Sequence, residues 1–254
     1  DPAILLNRGL ALSRLKDNSR AIADYSAAIQ LDPKYGWAYE SRGHAWAELG
    51  EYDRAVADYS EALQLDPGDV LALQGRALAW VKAGLSDGAI ADLNEAIRLE
   101  PRWARAYTGR GFAWSSKHEY GRALADYDAA LRLDPNDVDA YAGVATIRAT
   151  CPDARHRDGR RAVAAAARAL KLHGGACAPC LDTLAAAYAE AGDFDAAVKW
   201  EAKALEVLPK DDTDQNSFRS RLALYQDKKP YRDRPEGTAN AIAVTPRRRD
   251  DGAR

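Results

Sequence analysis

The 254-residue chain contains no methionine and only three phenylalanines. Because alanine is abundant where phenylalanine is scarce, the composition favours many thin helix–helix contacts over one thick hydrophobic core. The chain also begins at Asp1 rather than at a methionine. From these two absences we expect a fragment or a processed product.

The sequence has no apolar run of about 20 residues, the length that a membrane-spanning helix requires. It shows no secretory signal, and its formal net charge of −2 is close to neutral. The main body lacks a basic stripe with interleaved aromatic residues, and the arginine run 247–249 is followed by two aspartates. We therefore expect a soluble protein that binds no nucleic acid, either cytoplasmic or exported after loss of an N-terminal signal.

A fixed period of 34 residues is the strongest pattern that the sequence does contain. Four prolines recur at this spacing, and each ends a phrase of leucine, an acidic residue and proline. A constant period of this length predicts stacked copies of one small structural unit. The four prolines are Pro33, Pro67, Pro101 and Pro135.

Each copy carries two helical patterns. In the second copy, Tyr39, Gly43 and Trp46 are spaced as on one face of a helix. A second helical face follows Gly50, a residue able to adopt the left-handed conformation that ends helices. That face stops before Pro67, since proline disfavours helix in the residue before it. The repeated unit is therefore predicted to be a helical hairpin.

The residue order in these hairpins resembles the tetratricopeptide repeat (TPR) family, including bacterial multi-repeat members. The first helix reads large–small–large, and the second reads alanine–aromatic–alanine before proline. The resemblance implies an all-α, right-handed superhelical solenoid of about six hairpins over residues 2–209. Two copies are degenerate, and the insertion 151–157 delays the second helix of the fifth. The predicted repeats are 2–35, 36–69, 70–103, 104–137, 138–175 and 178–211, followed by a capping helix at 214–228 and a flexible tail at 231–254.

The resemblance also implies a non-catalytic scaffold that holds a peptide or protein segment in a concave groove lined by the first helices. The partner is not identified by the sequence. The alternative is a regulatory or substrate-recruiting module of a larger enzyme or signalling protein. A small residue after the second groove position, such as Gly75 or Gly109, is expected to leave room for the bound segment. The predicted groove residues are Trp37, Glu40, His44, Leu71, Gln74, Leu78, Arg105, Thr108 and Phe112.

Arginine and aspartate recur sixteen residues apart in the first four copies, and both are replaced in the last two. Because they are gained and lost together, we predict that they contact each other, within a repeat or between repeats. A planar guanidinium suits a bidentate carboxylate pair. The alternative is a row of arginines that binds anions. The predicted ion pairs are Arg8–Asp24, Arg42–Asp58, Arg76–Asp92 and Arg110–Asp126.

Cys177 and Cys180 form a CxxC motif near the start of the last copy. The motif is compatible with free thiols, with a local disulfide or, given further ligands, with a metal site. The other candidate ligands, Cys151, His156 and His173, follow no regular ligand spacing. The sequence shows no Ser/His/Asp arrangement and no glycine-rich loop after a strand. We therefore predict no catalytic residue, no metal and no cofactor.

Overall fold

The computed structural model of the protein describes residues 1–175, 177–209 and 211–233. These residues form thirteen α-helices, one short 3-10 helix at Ala154–His156 and no strand, so the predicted all-α class is confirmed. The helices are α1 (Pro2–Arg14), α2 (Asn18–Leu31), α3 (Gly36–Glu48), α4 (Tyr52–Leu65), α5 (Val70–Lys82), α6 (Ser86–Leu99), α7 (Ala104–Ser116), α8 (Tyr120–Leu133), α9 (Val138–Thr150), α10 (Gly159–His173), α11 (Ala178–Glu190), α12 (Phe194–Val207) and α13 (Gln215–Gln226).

Consecutive helices pair into hairpins, and the hairpins belong to two compact units. The first unit is Asp1–Pro135 and holds the hairpins α1–α2, α3–α4, α5–α6 and α7–α8. The second begins at Asn136 and holds the hairpins α9–α10 and α11–α12, with α13 packed on α12. The boundary coincides with the last proline of the 34-residue period.

Local sequence signals explain where the helices begin and end. The side chains of Asp17, Asp69 and Asp193 accept backbone N–H bonds at the starts of α2, α5 and α12, which satisfies donors that have no partner inside the helix. The turn inside most hairpins contains one residue with a left-handed backbone, usually glycine, which has no Cβ to clash there. These turn residues are Lys16, Gly50, Gly84, His118 and Gly192.

The hairpins pack through small residues and one large side chain. Ala21, Ala55, Ala89 and Ala123 are completely buried at equivalent positions of successive second helices. Four residues further along each helix lie Tyr25, Tyr59, Leu93 and Tyr127, which are also buried. Alanine lets the helix backbones approach closely, and the large side chain fills the remaining space. The hydrophobic core therefore consists of many thin layers between helices, as the low phenylalanine content predicts.

In the second unit, the segment after α13 returns to the end of α9. The Asp233 backbone N–H donates to the Thr150 carbonyl at 3.0 Å, and its carboxylate accepts from the Thr150 hydroxyl at 2.8 Å. Arg232 lies 2.5 Å from Glu190, which also pairs with Arg157 of the 151–157 insertion. The predicted tail 231–254 therefore starts with three packed residues, and positions 234–254 lie outside the described residues.

Candidate functional site

The structure brings the four predicted Arg–Asp pairs together, each within one hairpin. In every pair the arginine Nε and Nη2 donate to the two carboxylate oxygens of the aspartate at 2.6–2.8 Å. The arginine lies on the first helix and the aspartate on the second. Each pair therefore fixes the two helices of its own hairpin.

The remaining guanidinium nitrogen of three arginines reaches the preceding hairpin. Nη1 of Arg42 donates to Ser26 at 2.9 Å, and Nη1 of Arg76 donates to Ser60 at 3.0 Å. The Arg110 Nη1 donates in the same way to the Asn94 side chain at 2.7 Å. These side chains are 21–22% exposed, whereas the Arg8 side chain, on the first hairpin, is 64% exposed. The three half-buried arginines Arg42, Arg76 and Arg110 are thus structural links rather than a row of anion ligands.

The first helices of the first unit also contact one another directly. α1 meets α3, α3 meets α5 and α5 meets α7, while the second helices in this unit make no contacts of comparable extent among the described residues. Because the first helices approach one another more closely, they form the inner, concave side of this unit. We call the surface of α1, α3, α5 and α7 on this side the inner face.

Large apolar side chains are exposed at the positions where the family places its groove. Trp37 is 68% exposed, Leu71 is 61% exposed and Leu78 is 54% exposed. His44 and Arg105 are exposed as well, and the other predicted groove residues are half-buried: Glu40, Gln74, Thr108 and Phe112. On α1, Leu10 is the equivalent of His44 and is 38% exposed. Solvent-exposed tryptophan and leucine at such positions are available to a partner.

Glu40 introduces one electrostatic feature into this surface. Burial raises the pKa of its carboxyl group, and the nearby charge of Asp69 at the start of α5 raises it further. A cleft of about 270 Å³ lies at the other end of α3, lined by Ser13, Arg14, Lys16, Asn18, His44 and Glu48. The inner face therefore combines apolar side chains with isolated polar groups.

The small residues next to the groove positions do not provide room for a ligand, contrary to the prediction. A Cβ atom at Gly75 would lie 2.4 Å from Cζ of Tyr59, which belongs to the preceding hairpin. At Gly109 a Cβ would lie 3.4 Å from the side chain of Leu93. The Tyr59 ring thus fills the space beside α5, and the Leu93 side chain takes the equivalent place beside α7 with a looser contact. These glycines serve packing between hairpins.

A buried ionic cluster closes the last hairpin of the second unit, and sequence reasoning missed it. Arg221 of α13 lies 2.5 Å from Asp182 of α11 and 3.7 Å from Glu201 of α12. Burial and the Asp182 charge raise the pKa of Glu201 to about 9. The Arg221 guanidinium lies over the rings of Phe218 and Tyr231, at 4.7 and 5.5 Å from their centroids. The only sequence signal was the loss of the regular Arg–Asp pair from this repeat.

Cys177 and Cys180 form a disulfide at the start of α11. Cys177 precedes the first turn of that helix, and its Sγ accepts the backbone N–H of Cys180 at 3.2 Å. The side chain of His173, at the end of α10, lies beside the pair, and the three potential ligand atoms are within 4.8 Å of one another. The spacing of His173 gave no reason to join it to the CxxC motif. In the structure the two sites meet because Gly174 and Gly175 turn the chain back between them.

Three tetratricopeptide repeat family models match the chain, at residues 2–35, 36–69 and 75–138. The matches agree with the repeat phase, the helical hairpins and the buried Ala and Tyr positions described above. The chain belongs to the tetratricopeptide repeat family. Comparison with curated proteins gave no match.

Solved structures with similar folds are also TPR proteins. A tetratricopeptide repeat protein from Parabacteroides merdae is 19% identical, with a TM-score of 0.66 over 89% of this chain and 84% of its own. Pseudomonas aeruginosa pilF is 18% identical, with a TM-score of 0.70 over 86% of this chain and 96% of its own. YrrB, described as a TPR protein with an unusual peptide-binding site, is 19% identical, with a TM-score of 0.50 over 90% of this chain and 92% of its own. At these identities the likeness establishes the fold.

The family assignment supports a role in protein–protein interaction, because TPR repeats are generally non-catalytic interaction modules. Among the described residues, none of the helices has the length and apolar character needed to cross a membrane.

Proposed function

We propose that the chain is a non-catalytic scaffold that binds an extended or helical protein segment on the inner face of its first unit. The observation that carries this proposal is the exposure of Trp37, Leu71 and Leu78 on adjacent first helices. Aromatic and aliphatic side chains of this kind act as anchors in protein interfaces, especially when polar groups surround them.

The contrast between repeated and varied positions supports the same assignment. Residues that recur in every regular hairpin, such as Arg42 and Ala55, are committed to ion pairs and packing. The groove positions change between hairpins: His44 of α3 corresponds to Leu78 of α5 and to Phe112 of α7. Positions that packing leaves free are those that a binding surface can vary to suit its partner.

The mixture of side chains indicates the kind of segment that fits. The exposed tryptophan and leucines favour a ligand with two or three apolar side chains, and the half-buried Glu40 and Gln74 supply hydrogen-bonding groups between them. The similarity to YrrB is consistent with peptide binding by this fold, although that protein's binding site is a property of YrrB. The nine predicted groove residues form the proposed contact surface.

A randomised peptide library displayed on phage tests this proposal directly. We expect the purified chain to enrich peptides with regularly spaced apolar residues, and Leu71→Gln or Trp37→Ala to weaken their binding by about tenfold or more, as for loss of an interface anchor. Leu31→Gln is the matched control, because Leu31 is 60% exposed but lies at the end of the second helix α2.

Two results would count against the proposal. If selection enriches no peptide over the unselected library, the inner face is not a peptide site. If Leu31→Gln weakens binding as much as Leu71→Gln while both variants keep the helical circular dichroism of the parent, binding occurs elsewhere on the unit.

A further inference from the structure

We propose that His173, Cys177 and Cys180 form a redox-controlled binding site for one thiophilic divalent cation of the Zn²⁺ class. In the oxidised chain the two cysteines are joined as a disulfide. In the reduced chain the two sulfurs and the imidazole become three ligands for the cation.

The three side chains come from the end of one helix and the start of the next, and they meet at one loop. His173 is the last residue of α10, Cys177 caps α11, and Cys180 lies in the first turn of α11. Their potential ligand atoms lie within 4.8 Å of one another, and a change of side-chain rotamer after reduction would separate the two sulfurs and place all three ligand atoms around one ion. Two thiolates and one imidazole are a ligand set that Zn²⁺ prefers, with water at the fourth position.

The backbone between the ligands is suited to a change of state. Gly174 and Gly175 have φ values of 81° and 141°, conformations that residues with a Cβ rarely adopt. They replace the proline that ends the second helix in the four regular repeats. A glycine pair allows His173 to approach or leave the cysteines without disturbing either helix.

The CxxC pair is also accessible from solvent. His173 is exposed, and Cys177 and Cys180 are half-buried, so that small molecules reach them. Cys177 lies at the N-terminal end of α11, where its Sγ accepts the backbone N–H of Cys180. The third cysteine provides a contrast within the same unit: Cys151 is buried, and burial raises the pKa of its thiol.

A thiol reductant supplies the two electrons that convert the oxidised chain into the reduced chain. Two molecules of a low-molecular-weight thiol reduce the disulfide, yielding Cys177 and Cys180 as thiols and one oxidised thiol dimer. The divalent cation then displaces one proton from each cysteine and binds the two sulfurs and a nitrogen of His173. The disulfide closes a loop only at the start of α11, whereas the cation joins the end of α10 to α11.

Cobalt(II) titration of the untagged full chain tests the site, because thiolate-to-cobalt charge transfer reports sulfur ligands. We expect the reduced protein to bind one equivalent of Co²⁺, Zn²⁺ to displace it, and the oxidised protein to bind none. His173→Gln should weaken binding at least tenfold but leave disulfide formation intact by mass spectrometry. His118→Asn, at an exposed turn residue of the first unit, and Cys151→Ser are matched controls that should leave both properties unchanged.

The outcomes separate this site from simpler alternatives. Absence of a charge-transfer band in reduced protein that keeps its helical circular dichroism overturns the metal site. Equal affinity of the parent and His173→Gln shows that the cysteines bind cobalt without the histidine and overturns the three-ligand geometry. Equal binding before and after reduction overturns redox control. None of these results depends on peptide binding by the first unit.

Discussion

At the scale of single residues, Tyr59 shows how one side chain joins two hairpins. Its ring packs against Gly43 of its own hairpin, and it also occupies the space beside Gly75 of the next. Tyr59 is 3% exposed, so its ring is enclosed by neighbouring side chains and backbone rather than by solvent. Glycine at position 75 is therefore required by the neighbouring ring, although glycine weakens a helix interior.

Gly75→Ala should lower the free energy of unfolding, whereas Gly109→Ala should leave it unchanged or raise it. Alanine gains about 1 kcal/mol of helix propensity at either position. At Gly75 the new methyl would meet the Tyr59 ring at 2.4 Å, and overpacking of this kind costs about 1 to 3 kcal/mol. At Gly109 the methyl would meet Leu93 at 3.4 Å, a contact that a flexible leucine accommodates.

Urea denaturation of the two variants measures this difference. We expect Gly75→Ala to unfold at lower urea than the parent and Gly109→Ala at equal or higher urea. Stabilisation of the protein by Gly75→Ala would show that Tyr59 can move and that the glycine is not dictated by packing.

At the scale of elements, α13 closes the last hairpin with an arginine that the hairpin itself lacks. In the four regular hairpins an arginine on the first helix holds an aspartate on the second. In the last hairpin, Arg221 enters from α13 and contacts Asp182 and Glu201 together. Two buried carboxyl groups beside one guanidinium are not neutralised by a single positive charge, so one of them keeps a proton.

Glu201→Gln should raise the free energy of unfolding relative to the parent. The increase should be larger at pH 8 than at pH 5. The folded state raises the pKa of Glu201 to about 9, whereas the unfolded chain releases this proton near the ordinary glutamate value. The folded state therefore binds more protons between these values, and its stability falls as the pH rises through that window. Glutamine at position 201 has no proton to release on unfolding, so this contribution to the pH dependence of stability is lost.

The expected difference between pH 5 and pH 8 is up to about 4 kcal/mol, since each pH unit in the window corresponds to about 1.4 kcal/mol. Urea unfolding of both proteins at the two pH values measures it. Glu206→Gln is the control, because Glu206 lies on the same helix and is exposed. An identical pH dependence in parent and Glu201→Gln would contradict a protonated Glu201.

At the scale of the whole molecule, the two units differ in how they are completed. The first is built from four regular hairpins linked by arginines that recur every 34 residues. The second contains the insertion, the disulfide and a C-terminal segment that reaches back over a large sequence separation. Glu190 forms ion pairs with both Arg157 of the insertion and Arg232 of that segment.

The double variant Arg232→Ala, Asp233→Ala should loosen the second unit and leave the first unchanged. It removes the ion pair with Glu190 and the hydrogen bond with Thr150, which together contribute about 1 to 3 kcal/mol. Hydrogen exchange should therefore become faster at the end of α9 and in α11. The amides of α1–α8 should exchange as in the parent.

Asp227→Ala with Lys229→Ala is the control for this experiment. That pair lies in the same segment, but both side chains are about two-thirds exposed, and exposed ion pairs contribute little. Faster exchange in this control, to the same extent as in the test variant, would show that the effect comes from the segment as a whole and not from the buried contacts.

The sequence by itself determined the repeat, the hairpins and the Arg–Asp partners, because each is local or repeats at a fixed period. A 34-residue period, helical spacing and paired replacement of Arg and Asp all survive in the linear order of residues. The exposed groove positions could likewise be proposed by phase alone.

Only the tertiary structure decided what fills the space beside Gly75, what balances Asp182 and Glu201, and what lies next to Cys177. The physical reason is that a residue pattern does not give the distances between side chains. Tyr59 and Gly75 have a regular spacing, but the closeness of their contact follows from the backbone geometry. The other contacts join residues without a repeated spacing. Arg221 reaches Glu201 from a separate helix, and His173 reaches the CxxC motif because two glycines reverse the chain. Such contacts depend on backbone geometry, which a residue pattern does not contain.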